Sequence, residues 1–168
     1  MNKRRLFRTK IVLLGAPGVG KTSLVRRYVD NVFRDDYLTT LGVKVDRKRV
    51  HLDEADVALL IWDMHGETDG LEVPNSYLRG VSVGVAVFDS SRPPTIGKAV
   101  ELAERLQVAS PNARVYFAAN KSDLDIDWEA LAAEAKSSGI DTFDRLSARQ
   151  GSGVEALFES IAATAVGS

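Results

Sequence analysis

The sequence predicts an α/β fold: an open sheet of six strands, mostly parallel with one antiparallel member, and helices on both faces. Three observations predict it. Apolar runs of strand length alternate with segments whose apolar residues recur at helical spacing. Residues 57–62 are apolar on both faces, as a strand covered from both sides should be. The first strand-to-helix junction carries Gly15-Ala16-Pro17-Gly18-Val19-Gly20-Lys21-Thr22, which fits the phosphate-wrapping pattern G-x-x-x-x-G-K-[ST]. A length of 168 residues is most simply one domain, 1–168, and no stretch reads as a linker.

The elements follow in order. Residues 1–10 carry Lys3, Arg4, Arg5, Arg8 and Lys10 with no acid. This reads as a solvated arm leading into the first strand, in preference to a tether to anionic lipid, because nothing apolar or lipidated reinforces it. Residues 10–14 form that strand, and Leu24, Val25, Tyr28 and Val29 mark a helix ending near Asp30-Asn31. Residues 32–42 are polar and aperiodic, a long loop of the kind that a ligand orders. The charged strand 42–52 suits a sheet edge. Asp53-Glu54 turns the chain into the buried strand 57–62, which makes one antiparallel pair.

From residue 67 an irregular loop leads to a short helix ending at Gly80. Residues 83–88 are a buried strand, and Pro93-Pro94 suit the start of a helix carrying Val100, Leu102, Ala103, Leu106 and Ala109. Residues 114–119 are the next strand. Asp127 is placed to cap a helix through Ala130, Leu131 and Ala135 that stops at Gly139. A more polar strand, 141–146, and a helix with Val154, Leu157, Phe158 and Ile161 on one face complete the chain.

The phosphate pattern has a physical basis at each position. Glycine lets the backbone wrap an anion where a Cβ would collide. The N–H groups of Gly18, Val19, Gly20 and the following Ser23 point at phosphate oxygens from the wrap and the helix N-terminus, and Pro17, which has no N–H, borders them. Lys21 brings a full charge to the outer phosphates, and Thr22 offers a hydroxyl to magnesium, which takes its other ligands from phosphate and water. Asp63, at the carboxyl end of a central strand, reads as a water-mediated magnesium ligand, although D-x-x-G alone is more often a turn.

Bulk properties exclude several classes. A formal net charge of −1 gives no field that calls for nucleic acid. The absence of cysteine removes disulfide and thiolate chemistry. No apolar run reaches membrane-spanning length and no signal-peptide pattern opens the chain, so a reducing cytoplasm is expected.

Asn120-Lys121-Ser122-Asp123 follows the fifth strand. Its terminal carboxylate can accept the parallel N–H pair that guanine offers and adenine lacks. A site that reads by hydrogen bonds discriminates by roughly 10⁴ or more. With these residues in place the chain resembles a Ras-superfamily small GTPase of the Rab branch over nearly its whole length. The resemblance rests on the GAPGVGKT loop, Thr40-Leu41-Gly42, Trp62-Asp63-Met64-His65-Gly66, the Asn120 segment and Ser147-Ala148-Arg149. Tyr37-Leu38-Thr39-Thr40-Leu41-Gly42-Val43, Trp62 and Ser76-Tyr77-Leu78-Arg79-Gly80 give it the Rab character.

That resemblance implies a P-loop G domain that binds GTP and GDP with magnesium and hydrolyses GTP. Lys21 would contact the β- and γ-phosphates; Thr22 and Thr40 would ligate magnesium, and Asp63 would hold it through water. The Gly66 N–H would sense the γ-phosphate. Phe33 and Tyr37 would border the nucleotide, Phe33 edge-on to the guanine. Lys121 would lie along the base and Asp123 would read it. The Ala148 N–H would bind guanine O6, positioned by Ser147, with Arg149 beside it. Residues 33–42 and 63–77 would be switch segments presented to effectors, exchange factors and activating proteins. A monomer is implied. Trp62 and Tyr77 fit either plain packing or an effector-facing patch, and Trp128 reads as a helix-start packing residue.

Several positions depart from the family. Glu67 stands where a Gln orients the attacking water, with Gly66, Thr40 and Lys21 as the other catalytic candidates. An ionised carboxylate cannot donate, although it can accept a proton from water. Slow hydrolysis is therefore expected; the alternative is a GTP-locked binding scaffold with negligible turnover. An ATP-using phosphotransferase is a weaker third reading, opposed by Asp123. Pro17 would crowd an arginine supplied in trans, and His65 reads as a solvent-facing residue in preference to a surrogate for the missing Gln. Val45 replaces the Phe of an effector-facing aromatic triad, and Arg149 replaces a Lys. Residues 163–168 hold no cysteine, so no stable membrane anchor is expected; a truncated C-terminus or a soluble, prokaryote-type relative both fit.

Overall fold

A computed structural model of the chain describes residues 3–31, 43–64 and 74–167. They build a six-stranded sheet from β1 (Arg5–Leu14), β2 (Val43–His51), β3 (Ala55–Met64), β4 (Val83–Asp89), β5 (Arg114–Asn120) and β6 (Asp144–Arg145), in the order β2-β3-β1-β4-β5-β6. Only β2 runs antiparallel, against β3, and it lies at the edge, where its four lysines and arginines discourage further pairing. The helices are α1 (Lys21–Asp30), α2 (Thr95–Ala109), α3 (Trp128–Ser137) and α4 (Val154–Val166), with a 3₁₀ turn at Asn75–Leu78. No helix among the described residues is long and apolar enough to cross a membrane.

The two faces of the sheet carry different helices because strand side chains alternate. Ile11 and Leu13 of β1, Val57, Leu59 and Ile61 of β3, and Val83, Val85 and Val87 of β4 meet Leu24, Val25 and Tyr28 of α1 and Val154, Leu157, Phe158 and Ile161 of α4. Tyr28 stacks on Phe158 with ring centroids 4.1 Å apart. Val12 and Leu14 point to the other face, onto Leu78 and Leu102 and Leu106 of α2. Further along that face Ala86 and Phe88 pack on Ile96, Ala99 and Ala103 of α2 and on Leu131 and Ala135 of α3.

Three expectations need correction. The first strand begins at Arg5, not residue 10, so most of the basic arm is strand: Arg5 to Leu13 pair in parallel with Ala55 to Asp63. Backbone pairing is indifferent to the charge of outward side chains, and Phe7 and Thr9 alternate inward while Leu6 and Arg8 stay exposed. The last strand shrinks from 141–146 to two residues, paired with Ala118 and Ala119. Upstream, Ile140 is buried in the cluster beneath α2 and α3, and Phe143 packs edge-on to Phe88 at 5.4 Å. On β3 only the face of Val57, Leu59 and Ile61 is fully buried; Ala58, Leu60 and Trp62 are half-buried.

Other expectations agree. The Asp127 carboxylate accepts the Ala130 N–H at 3.1 Å, capping α3. Gly139 sits beyond the C-terminus of α3 with φ +96, where a glycine costs least. Trp128 is half-buried on Phe143, with the Arg145 guanidinium 4.2 Å above its ring.

Candidate functional site

The carboxyl ends of β1, β3, β4, β5 and β6 converge on one rim. The chain leaves β1 for β2 and β3 on one side and reaches β4 on the other, so β1 is the switch point of the sheet, where such folds bind ligands. The loop 15–20 follows β1. A Cβ on Gly15 would lie 2.4 Å from the Val87 carbonyl oxygen, and one on Gly20 would lie 2.3 Å from the Asn120 amide nitrogen. Gly20 has φ +100 and caps α1 with no side-chain hydrogen bond, so the first-turn N–H groups are left to whatever lies in the loop. Gly18 adopts φ +78, Val19 is buried, Pro17 is exposed at the tip, and Ser23 is half-buried in the first turn.

Lys21 is 5 % exposed, and its ammonium donates to the Gly15 carbonyl at 2.7 Å and the Ala16 carbonyl at 3.3 Å. The loop thus holds its own cation over its mouth. The Thr22 hydroxyl donates to Asp63 Oδ2 at 2.6 Å. These are two hard oxygen donors side by side, one on α1 and one on β3. Among the described residues no cluster of three or more acids, histidines or cysteines exists. A donor set this sparse fits magnesium, which keeps few protein ligands and takes phosphate and water for the rest. A glycine cradle closed to any Cβ, an uncapped helix N-terminus and a buried ammonium likewise fit a phosphate chain.

Asn120 ties the rim together. It is 2 % exposed. Its Nδ2 donates to the Val19 carbonyl at 2.9 Å, and its Oδ1 accepts the Ala148 N–H at 3.2 Å. One amide therefore joins the phosphate loop to the segment Ser147-Ala148-Arg149. The Ser147 hydroxyl donates to Asp123 Oδ1 at 2.8 Å and accepts the Gln150 N–H, which fixes the carboxylate. Lys121 holds φ +68, unusual for a residue with a Cβ, and the Ser122 N–H anchors the turn on the Leu146 carbonyl at 3.0 Å.

Three participants escaped the sequence reading. Asp89, the last residue of β4, is fully buried and accepts from the Ser91 N–H and hydroxyl, from Arg92 Nε at 3.0 Å and from Lys121 Nζ at 2.6 Å. Burial alone would raise its pKa; hydrogen bonds from Lys121, Ser91 and Arg92 outweigh that and hold the carboxyl below its usual range. Arg92 also donates Nη2 to the Pro17 carbonyl at 3.0 Å. Arg27 reaches from α1 to the carbonyls of Ala148 at 2.7 Å and Arg149 at 2.5 Å. The rule that singled out Asp63, an acid closing a buried strand, applies equally to Asp89. Nothing in the sequence marks Arg27, one of two adjacent arginines on α1.

Of the remaining expected site residues, Phe33, Tyr37, Thr40, Gly66 and Glu67 lie outside the described residues, as do His65 and most of both switch segments. Trp62 and Tyr77 do meet, with centroids 6.1 Å apart, and Lys10 Nζ lies 4.1 Å over the Trp62 ring. Both aromatics pack against the cluster beneath α2. Val45 is 44 % exposed on the edge strand.

A glycine loop closed by a buried lysine at the switch point of a mostly parallel sheet defines the class: a P-loop nucleotide-binding protein. Comparison with known sequences narrows it. A model of the Ras family matches residues 10–166. The chain is 33% identical to the human Ras-related protein Rab-4B over 162 residues, covering 94% of this chain and 76% of that protein. It is 32% identical to the Ras-related protein Rab-5A of Dictyostelium discoideum over 165 residues, covering 96% of this chain and 82% of that protein. The chain belongs to the Ras family, and it is a Rab-like small GTPase of the Ras superfamily.

Proposed function

We propose that this protein is a guanine-nucleotide switch that binds GTP and GDP with magnesium, hydrolyses GTP slowly and acts through residues 33–42 and 63–77 on effectors, exchange factors and activating proteins. The observation that carries this reading is the Asn120 bridge, which holds the phosphate loop and the Ser147 segment as one unit. In that frame Lys21 would exchange its loop carbonyls for the outer phosphates. Asp123, oriented by Ser147, would accept the N–H pair of guanine. The Ala148 N–H, already engaged by Asn120 Oδ1, would be shared with the base oxygen. Thr22 and Asp63, with Thr40, would hold magnesium, which supplies charge neutralisation at the phosphates when bound.

Family membership supports guanine-nucleotide binding. The slow rate is argued from Glu67, which stands where the family has a Gln and cannot donate a hydrogen bond to the attacking water while ionised. A GTP-locked scaffold is the second reading, favoured by the same Glu67 together with Pro17. We place the protein in the cytoplasm as a monomer built of one domain, without nucleic acid as a partner.

Nucleotide released from the purified protein by denaturation and identified by chromatography tests the site. GDP supports turnover, GTP supports the scaffold, and no guanine nucleotide in a well-folded preparation refutes both. Single-turnover hydrolysis of the native chain beside Glu67→Gln tests the rate. Gln is expected to be faster, and a slower variant would make Glu67 a working base.

A further inference from the structure

We infer that Asp89 and Arg92 form a positioning clamp that couples the phosphate-loop tip to Lys121. This inference rests on the guanine-nucleotide reading above. Two cations converge on one oxygen: Lys121 Nζ at 2.6 Å and Arg92 Nε at 3.0 Å both donate to Asp89 Oδ2. The other oxygen is held by the Ser91 N–H at 2.9 Å and hydroxyl at 2.6 Å. The acid is therefore immobile, with its side chain fully buried, whereas the Arg92 side chain is 49% exposed. From that fixed point the Arg92 guanidinium reaches the Pro17 carbonyl with Nη2 at 3.0 Å. The path from base-side lysine to phosphate-side loop is thus Lys121, Asp89, Arg92, Pro17, with a hydrogen bond at every step.

The frame beneath this path is stiff. The Asp89 N–H donates to Thr95 Oγ1 at 2.9 Å, and that hydroxyl donates to the Arg92 carbonyl at 2.8 Å, closing the turn between β4 and α2. Asp89 and Asn120 are neighbours in register across β4 and β5. The Ser90 N–H and hydroxyl both donate to the Asn120 carbonyl. The clamp therefore runs beside the Asn120 bridge but engages a different part of the loop: Asn120 holds Val19, near α1, and Arg92 holds the tip. Arginine suits the task because its rigid planar fork carries separate donor nitrogens, Nε toward Asp89 and Nη2 toward Pro17, whereas lysine's donors all sit on one nitrogen.

The clamp keeps Lys121 and the loop tip in the arrangement a nucleotide needs, so its loss speeds nucleotide release without unfolding the protein. The test is the release rate of fluorescently labelled GDP, chased with excess unlabelled GDP in the presence of magnesium, for the full chain and for Arg92→Ala, Arg92→Lys, Lys121→Ala and the Arg92→Ala/Lys121→Ala pair. Arg92→Ala is expected to release about three to ten times faster, the size of a half-exposed charged hydrogen-bond pair. Arg92→Lys is expected to recover little of this, since the two contacts come from different guanidinium nitrogens, Nε and Nη2, and lysine has a single one. The double variant is expected to fall short of the product of the single effects, because both act through Asp89. A thermal melt at saturating GDP verifies that each variant is folded. Multiplicative effects, full rescue by lysine, or a wild-type rate in Arg92→Ala would overturn the clamp and leave the nucleotide site standing. A native chain that takes up no labelled GDP would overturn both.

Discussion

Replacing Asn120 with alanine removes both ends of a buried bridge at once. The Val19 carbonyl loses the Nδ2 donor at 2.9 Å, and the Ala148 N–H loses the Oδ1 acceptor at 3.2 Å. Each orphaned buried group costs about 1–3 kcal/mol. Water admitted by the missing side chain recovers part of that, so the pair is worth about 2–4 kcal/mol. For a domain of this size such a loss lowers the melting temperature by about 5–15 °C. The assay is urea unfolding followed by circular dichroism at fixed, saturating guanine nucleotide, with the transition slope compared between variants. Gly20 sharpens the test, because a Cβ there would lie 2.3 Å from Asn120 Nδ2. Gly20→Ala is expected to destabilise, and adding Asn120→Ala is expected to cost less than the sum, since the clash disappears while the strain of φ +100 remains. An Asn120→Ala protein within about 0.5 kcal/mol of wild type, or strict additivity with Gly20→Ala, would refute the claim that this amide holds the rim together.

Other outcomes follow from the same structure. The folded-state pKa of Asp89 is depressed, so its contribution to stability is complete above the ordinary carboxylate range and is lost as pH falls through the depressed value; Asp89→Asn should flatten that part of the acid-unfolding curve. Phe158→Ala, at 1 % exposure and stacked on Tyr28, should cost about 3–5 kcal/mol in denaturant unfolding. Tyr28 itself, raised to about 12 by burial and then by the charges of Glu155 and Glu159, should remain un-ionised in an ultraviolet titration until that pH. Arg27→Ala should leave the Ala148 and Arg149 carbonyls without a donor and weaken guanine-nucleotide affinity several-fold, measured by titration calorimetry, with a smaller loss of stability.

Local signals were sufficient where one residue's chemistry is tied to one backbone shape. Gly15 to Thr22 announced the phosphate loop, because glycines that no Cβ can replace leave few other conformations. Asp127 announced a helix start, and residues 83–88 a doubly covered strand, through capping chemistry and continuous apolarity. Asn120 and Asp123 were legible as candidate site residues from their place after a strand, and the structure joins Asn120 to the loop and Asp123 to Ser147.

What escaped was whatever depends on a partner distant in the chain. The start of β1 at Arg5 was set by pairing with Ala55, some fifty residues away, against the pull of a basic composition. β6 has two residues, paired with Ala118 and Ala119, and Phe143 just before it packs edge-on to Phe88, a partner fifty-five residues away. Asp89, Arg92 and Arg27 look like ordinary polar residues in the sequence. The sequence alone determined the alternation of elements and the chemistry placed at strand ends, because propensity and spacing are local. Only the tertiary structure decided that Lys121 and Pro17 share one buried acid through Arg92, because a hydrogen bond across 75 residues exists only once the sheet has brought those strand ends together.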